Sequence, residues 1–354
     1  MIYDAEGIDD SIKNQGHWAE SNDTPTLTLF LENLENRSLR RVKQLGVTGV
    51  SMAGLDTGGL ETWTDQNLKR HIDRASAAGL ELRNVMFNPS SRVRFGEQGR
   101  DEDIEIINQA IRIAGRQGLP VMEYNFYAHR IVEGYRVVPG RGGSGLMEFN
   151  YQRVKDLPPL VGEEEHSLSD MWDNVTYFLK AVIPVAEEAN VRLALHPNDP
   201  PAPVSRGSGQ IMSTLDGWKK FTDIVPSPFN GITFDCGVTK ELGHDPVEVC
   251  RYFGLRDQIN HVHFRNVVSR VPNLDYTEVW IDEGQVDMFA VMSELVRQKY
   301  PRLIYPEHPP ANDADTEFPF NGISATTYTG FAYTVGYARA MMQAAISTQS
   351  QREN

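Results

Sequence analysis

Short, continuously apolar runs recur along the chain, separated by segments in which apolar residues return every three or four positions. The runs are "TLTLFLE" (26–32), "VTGVSMA" (47–53), "LELRNVMFN" (80–88), "PVMEYNF" (120–126), "RLALHP" (192–197), "NGITFDCG" (230–237), "INHVHFRNV" (259–267) and "RLIYPEHP" (302–309). Strands covered on both faces read this way, because neither side alternates with water. The segments between them read as amphipathic helices. "SLRRVKQLG" (38–46) sets Leu39, Val42 and Leu45 on one face and stops at Gly46. "DEDIEIINQAIRIAGRQG" (101–118) opens on acids and closes on glycine, as the helix dipole and the C-cap favour. A third (167–190) has Ser167 as cap, Asp170 three residues on, and Pro184 as a potential kink. Two more follow at 287–301 and 333–347.

Eight strands, each followed by a helical segment, predict a single-domain α/β (β/α)8 TIM barrel over residues 25–346. A doubly wound open sheet is the alternative, but no strand leads into a glycine-rich phosphate fingerprint. Residues 127–166 are too long for an ordinary connection. Lying after the fourth strand, they are expected to cover the catalytic mouth as a lid or pocket wall. Residues 1–24 form a polar leader, and 347–354 a tail expected to fray.

Composition narrows the function classes. Hydrophobic residues are 40% and charged residues 23%, as in ordinary soluble proteins. No run approaches the length of a membrane span, and the acidic start is no signal peptide, so a cytoplasmic protein is expected. The net charge of −14, without a basic stripe, argues against nucleic acid. Two cysteines, Cys236 and Cys250, imply no disulfide framework. The expected partners are a small-molecule substrate and further copies of the chain in a homo-oligomer.

Side chains at the carboxyl ends of barrel strands face the active site. His196 ends the fifth strand, Cys236 the sixth, His263 the seventh and Glu307 the eighth. Together they offer two imidazoles, a thiol and a carboxylate to one divalent metal. Mixed N, S and O donors suit Mn²⁺, Zn²⁺, Fe²⁺ or Co²⁺ better than Mg²⁺ or Ca²⁺. Asp199 and Asp235 stand beside two of these ligands. His261 is expected to point to the same side as His263, but deeper. Arg265, nearer the mouth, is suited to fork onto a substrate carboxylate. His308, directly after Glu307, is a candidate proton shuttle.

"LALHPNDPP", "FDCG", "HVHFRNV", "DEGQVDM" and "YPEHP", in this order and spacing, resemble the mannonate dehydratase family of the xylose-isomerase-like barrel group. The resemblance is strongest over 180–310 and collinear from "LRRVKQLGVTGV" through "YNF" (124–126). It implies a lyase that removes water from a hexonate. The proton α to the carboxylate and the 3-hydroxyl leave, an ion (usually Mn²⁺) holds the enediolate, and a 2-keto-3-deoxy acid results. It assigns His196, Cys236, His263 and Glu307 as ligands, His308 as the histidine beside the fourth ligand, and Tyr124 and Asn125 to the pocket. Asp199 joins them as a substrate-binding candidate.

The sequence also departs from the family. Glu307 replaces the usual aspartate, Ile281 a histidine, and "NGISATTYTGFAY" (321–333) a late "NPGY" motif with its arginine. Tyr328 then stands for the family tyrosine, suited to the acid role. Arg130, Arg136 or Arg141 of the insert are placed to replace the missing arginine. Two alternatives stay open: a sugar isomerase or epimerase on the same barrel and metal, and a non-catalytic sugar-binding barrel.

Overall fold

The computed structural model describes residues 23–55, 59–271, 275–317 and 328–353. Eight parallel strands close into a barrel: β1 (Thr26–Leu31), β2 (Gly49–Met52), β3 (Glu81–Val85), β4 (Val121–Tyr124), β5 (Arg192–Leu195), β6 (Asn230–Asp235), β7 (Ile259–His263) and β8 (Leu303–Tyr305). They stand in chain order around the ring, β8 pairing with β1. All eight expected strands are present, each trimmed by one to four residues at an end.

Alternation along the strands sorts the side chains into two cores. Val121, Ala194 and Leu303 pack together inside the ring as its apolar floor. Their neighbours Met122, Leu193 and Ile304 join the larger core between barrel and helices. In that layer the helix Leu168–Ala189 begins at a capping box, Ser167 and Asp170 each bonding the other's backbone. It runs through Pro184 without a break in the helix and ends on Asn190 at φ 55°.

The stretch 259–267 is not one strand. The barrel strand stops at His263 and a new strand begins at Asn266. Asn266 makes the turn, donating to the carbonyls of Ile281 (2.9 Å) and Val286 (3.2 Å) while accepting from Val286 N (2.9 Å). Asn266–Val271 and Asp275–Val279 form a hairpin that the sequence reading missed. It pairs antiparallel with two strands of the insert, Gly145–Asn150 and then Tyr135–Pro139. The insert therefore contributes two strands to this four-stranded sheet, and Ile131, Phe149 and Tyr151 share an apolar cluster with Val267 and Tyr276 of the hairpin.

The tail expected to fray continues the last helix, Tyr328–Glu353. Thr348 and Ser350 hydroxyls bond back to the carbonyls of Ala344 and Ile346. Of the leader, only Asp23 and Thr24 are among the described residues. No helix among the described residues is long and apolar enough to cross a membrane.

Phe149 is fully buried between Tyr135 (5.2 Å between centroids) and Tyr276 (5.4 Å). Phe149→Ala is expected to cost about 3–5 kcal/mol, the usual loss for a buried aromatic. Hydrogen exchange should localise that loss to 135–150 and 266–279, leaving the barrel strands protected.

Candidate metal centre

β4, β5, β6, β7 and β8 deliver polar side chains above the apolar floor. On β4 the residue two beyond Val121 is Glu123, 1% exposed. On β5 the residue two beyond Ala194 is His196. β6 and β7 run in register with Thr233 beside His261 and Asp235 beside His263, so both pairs share the inner face. Glu307 follows β8, two residues beyond Tyr305.

His196 Nδ1 lies 2.7 Å from the Pro197 carbonyl oxygen, so that nitrogen carries the proton and Nε2 keeps its lone pair. Nε2 faces His263 Nδ1 at 3.1 Å, and His263 Nδ1 is 3.0 Å from Glu307 Oε1. Two donors bound about 2.1 Å from one ion at right angles are about 3.0 Å apart, the spacing found here. Glu307 Oε1 is buried between His263 Nδ1 (3.0 Å) and Arg265 Nε (3.3 Å). A carboxylate beside two converging imidazole nitrogens fits a divalent ion. Donor atoms of His196, Asp235 and His263 lie within 4.8 Å of one another, as do those of Glu123, His261 and His263.

Glu123 supports the group from below. Its Oε1 accepts from Thr233 Oγ1 (2.7 Å) and lies 3.3 Å from His263 Nε2. Its Oε2 lies 3.2 Å from both His261 Nδ1 and Asn84 Nδ2. Burial alone would raise the Glu123 carboxyl; the imidazoles of His261 and His263 reverse this and hold it well below the usual range. Burial, reinforced by His263, lowers His196 to about 4, so it is neutral at pH 7. For Asp235, burial and the nearby carboxylates of Glu307 and Asp199 outweigh Arg265, and its pKa rises to about 6.

Several expected site residues take other places. Cys236 is fully buried in the large apolar cluster and, like Glu307, belongs to none of the three donor groups. It opens the short helix Cys236–Glu241, one residue past the inward Asp235. Tyr124 points outward, fully buried against Phe87 (5.3 Å) and Phe178 (5.6 Å), because alternation on β4 gives the inner positions to Glu123 and Asn125. Asn125 donates to Asn88 Oδ1 at 3.0 Å. Arg265 does not stand free at the mouth. It is 1% exposed, bonded to Asp235 (3.1 Å) and Glu241 (2.8 Å), with Glu307 at 3.3 Å and Asp199 at 3.4 Å. The Tyr328 hydroxyl donates to the Arg41 carbonyl at 3.4 Å, a partner on the first helix rather than in the donor cluster.

The insert arginines are also engaged. Arg130 bonds Asp199 (3.0 Å), Arg136 bonds Glu148 (2.9 Å) and Arg141 bonds Asp282 (2.8 Å). Asp199, 6% exposed, further meets the hydroxyls of Tyr135 (3.2 Å) and Tyr276 (3.3 Å). His308 turns at φ 47°, a left-handed conformation costly for a residue with a Cβ. Its Nδ1 lies 3.0 Å from Glu278 Oε2 and its Nε2 3.5 Å from Glu307 Oε2. Desolvation would lower this imidazole, but Glu278 and Glu307 outweigh it and raise it to about 9.

The sequence reading missed Glu123, Glu241 and Glu278. For Glu123 a signal existed: it is the one acid in an apolar strand, on the same face as Asn125. Glu241 and Glu278 are recognisable only once the chain has folded around Arg265 and His308.

The barrel has the xylose-isomerase-like (β/α)8 fold, and residues at its carboxyl end could hold a divalent ion. The shared fold extends to an L-ribulose 3-epimerase structure at 12% identity (TM-score 0.61, 94% of this chain and 99% of that one). The chain belongs to the D-mannonate dehydratase family, whose model matches residues 26–164 and 160–352. It is 29% identical to the mannonate dehydratase of Streptococcus equi subsp. zooepidemicus over 300 residues, 77% of this chain and 82% of the relative. The Thermotoga petrophila mannonate dehydratase is 29% identical over 320 residues, 78% and 86% of the two chains. The crystal structure of mannonate dehydratase from Streptococcus suis serotype 2 superposes with a TM-score of 0.81 at 25% identity, covering 92% of this chain and 96% of that one. The chain is thus a sugar-acid dehydratase, a hydro-lyase.

Glu123→Gln removes the charge beneath His263 and His261 while keeping its shape. It is expected to weaken divalent-ion binding about 10–100-fold, the usual effect of losing a carboxylate behind a ligating histidine. Calorimetric titration with Mn²⁺ reads this without substrate.

Proposed function

We propose that the substrate is a mannonate-type hexonate, converted to its 2-keto-3-deoxy acid by loss of the C2 proton and the C3 hydroxyl. The observation that carries this reading is the placing of His308 directly beside Glu307, at the rim of the donor group. Elimination of water needs charge stabilisation and proton transfer at adjacent atoms, and this rim sets a titratable imidazole against an ion's donors. The family relatives named mannonate dehydratase support the substrate class.

His196, His263 and Glu307 would hold the ion, which when bound supplies Lewis-acid stabilisation of negative charge developing on the substrate's carboxylate end. We assign Mn²⁺, since nitrogen and oxygen donors suit it. Glu278 holds one nitrogen of His308, leaving Nε2 to carry a proton between carbon and leaving oxygen. Asn125, on the inner side beyond β4, is the substrate hydrogen-bonding group in this reading. Arg265 and Asp199, enclosed by their own partners, position the ligand carboxylates rather than touch substrate. The reading also takes the cytoplasm as the protein's location and a homo-oligomer as its form; no helix among the described residues is long and apolar enough to cross a membrane. The likeness to epimerases, at 10–15% identity, concerns the fold alone.

His308→Asn is expected to keep the ion and lower kcat by about 10²–10⁴, the usual contribution of general acid–base help. Release of 2-keto-3-deoxy product from a panel of aldonates measures it. Near-normal turnover would place the proton carrier elsewhere, and epimerised product without dehydration would overturn the reaction.

A further inference from the structure

We propose that Met147 and Val137, on the sheet shared with the insert, form an apolar wall for the distal carbons of the substrate. The acid such a wall favours is a hexonate ending in a methyl group, a 6-deoxyhexonate, over one ending in a hydroxymethyl. This rests on the aldonate reading above and names the part of that substrate which the wall selects.

Alternation on three paired strands, Tyr135–Pro139, Gly145–Asn150 and Asp275–Val279, fixes which way these side chains turn. Tyr135 and Tyr276 send their hydroxyls to Asp199, and Phe149 is buried between their rings. Two residues further along the respective strands stand Val137, Met147 and Glu278, on the same face by the two-residue period. They are register partners and so form one row across the sheet, Val137 beside Met147 and Met147 beside Glu278. Glu278 marks where that row meets the site, since its Oε2 lies 3.0 Å from His308 Nδ1.

The rest of the row is apolar and uncovered. Val137 is 69% exposed and Met147 39%, and neither joins an apolar cluster among the described residues. Their chain neighbours turn to the opposite face and are satisfied there. Arg136 pairs with Glu148 at 2.9 Å, while Val138 and Leu146 pack with Val279 and Trp280. Uncovered apolar side chains that continue a line from a titratable group suit a ligand cleft, which buries a carbon frame and orients it with few polar groups.

Distances across the sheet suit a six-carbon acid. Neighbouring strands lie about 4.8 Å apart, which sets Met147 one step from Glu278 and Val137 about 10 Å away. Carbons C3 and C6 of an extended chain are about 4 Å apart, from bonds of ~1.5 Å. With C3 at His308, C6 therefore comes under Met147 and faces Val137. The row offers it a thioether and two methyls, and no hydrogen-bond donor. A hydroxyl there would lose water without gaining a partner, whereas a methyl has no such loss.

The test compares three acids on the Mn²⁺-loaded chain: a hexonate, its 6-deoxy counterpart of the same configuration, and a four-carbon tetronate that ends short of the wall. The 6-deoxyhexonate should exceed the hexonate in kcat/KM by about fourfold, the worth of one buried methyl-sized group. Calorimetric titration should give the same order of affinity. Val137→Thr combined with Met147→Gln keeps the shapes but makes the wall polar, and should bring that ratio to about one. The loss should fall on the 6-deoxyhexonate and not on the tetronate, with melting temperature and Mn²⁺ affinity held. No preference in the wild-type protein, or one undiminished in the double variant, would overturn the proposal. Equal losses on all three acids would also overturn it, assigning the row to support of Glu278. So would a changed oligomeric state with the ratio intact, which would place a second copy of the chain on the row. If none of the three acids binds, the aldonate reading itself fails; if they bind without dehydration, the reaction fails while calorimetry still measures the wall.

Discussion

A guanidinium sealed from water cannot remain unpaired, and Arg265 is where that constraint falls in this chain. At 1% exposed it must be met by carboxylates, and it draws them from four separate parts of the chain. Asp199 comes from the loop after β5, Asp235 from β6, Glu241 from the short helix beyond it, and Glu307 from the end of β8. Removing one member of a buried ion pair costs about 3–5 kcal/mol, because the other is left charged in a low dielectric. The network therefore fixes positions more than it adds net stability. Its acids outnumber its cation.

Much of the fold was legible because the two periods in the sequence differ so clearly. Apolar runs of strand length, separated by helix-period segments, led to eight strands, and eight strands are in the ring. The cap at Ser167 was readable from its partner at Asp170. The hairpin after β7 was not, because "HFRNVVSRV" continues the apolar run without a break. The turn there depends on Asn266 finding carbonyls at Ile281 and Val286, contacts that exist only in three dimensions.

The site was legible by place more than by residue. Treating the strands as uniformly apolar located the rim but discarded the inside–outside alternation. Tyr124 entered through the family resemblance, and alternation on β4 turns it outward, whereas Cys236 was taken as the end of its strand and opens the helix that follows. His196, His263 and Glu307 were singled out by their shared position at the ends of neighbouring strands, since each alone has an ordinary structural reading, and the structure brings His196 and Glu307 within 3.1 and 3.0 Å of His263 Nδ1. Arg265 was seen as a charged group near the mouth; its enclosure followed from acids too distant in sequence to associate with it.

The floor and the wall of the site have different origins in the chain. His196, His263 and Glu307 are anchored to the barrel, whereas Glu278, which holds Nδ1 of His308, stands on the sheet shared with the insert. Tyr135 of the insert reaches the same carboxylate, at 3.1 Å. A change confined to this sheet therefore acts on His308 through Glu278, while His196, His263 and Glu307 stay anchored to the barrel.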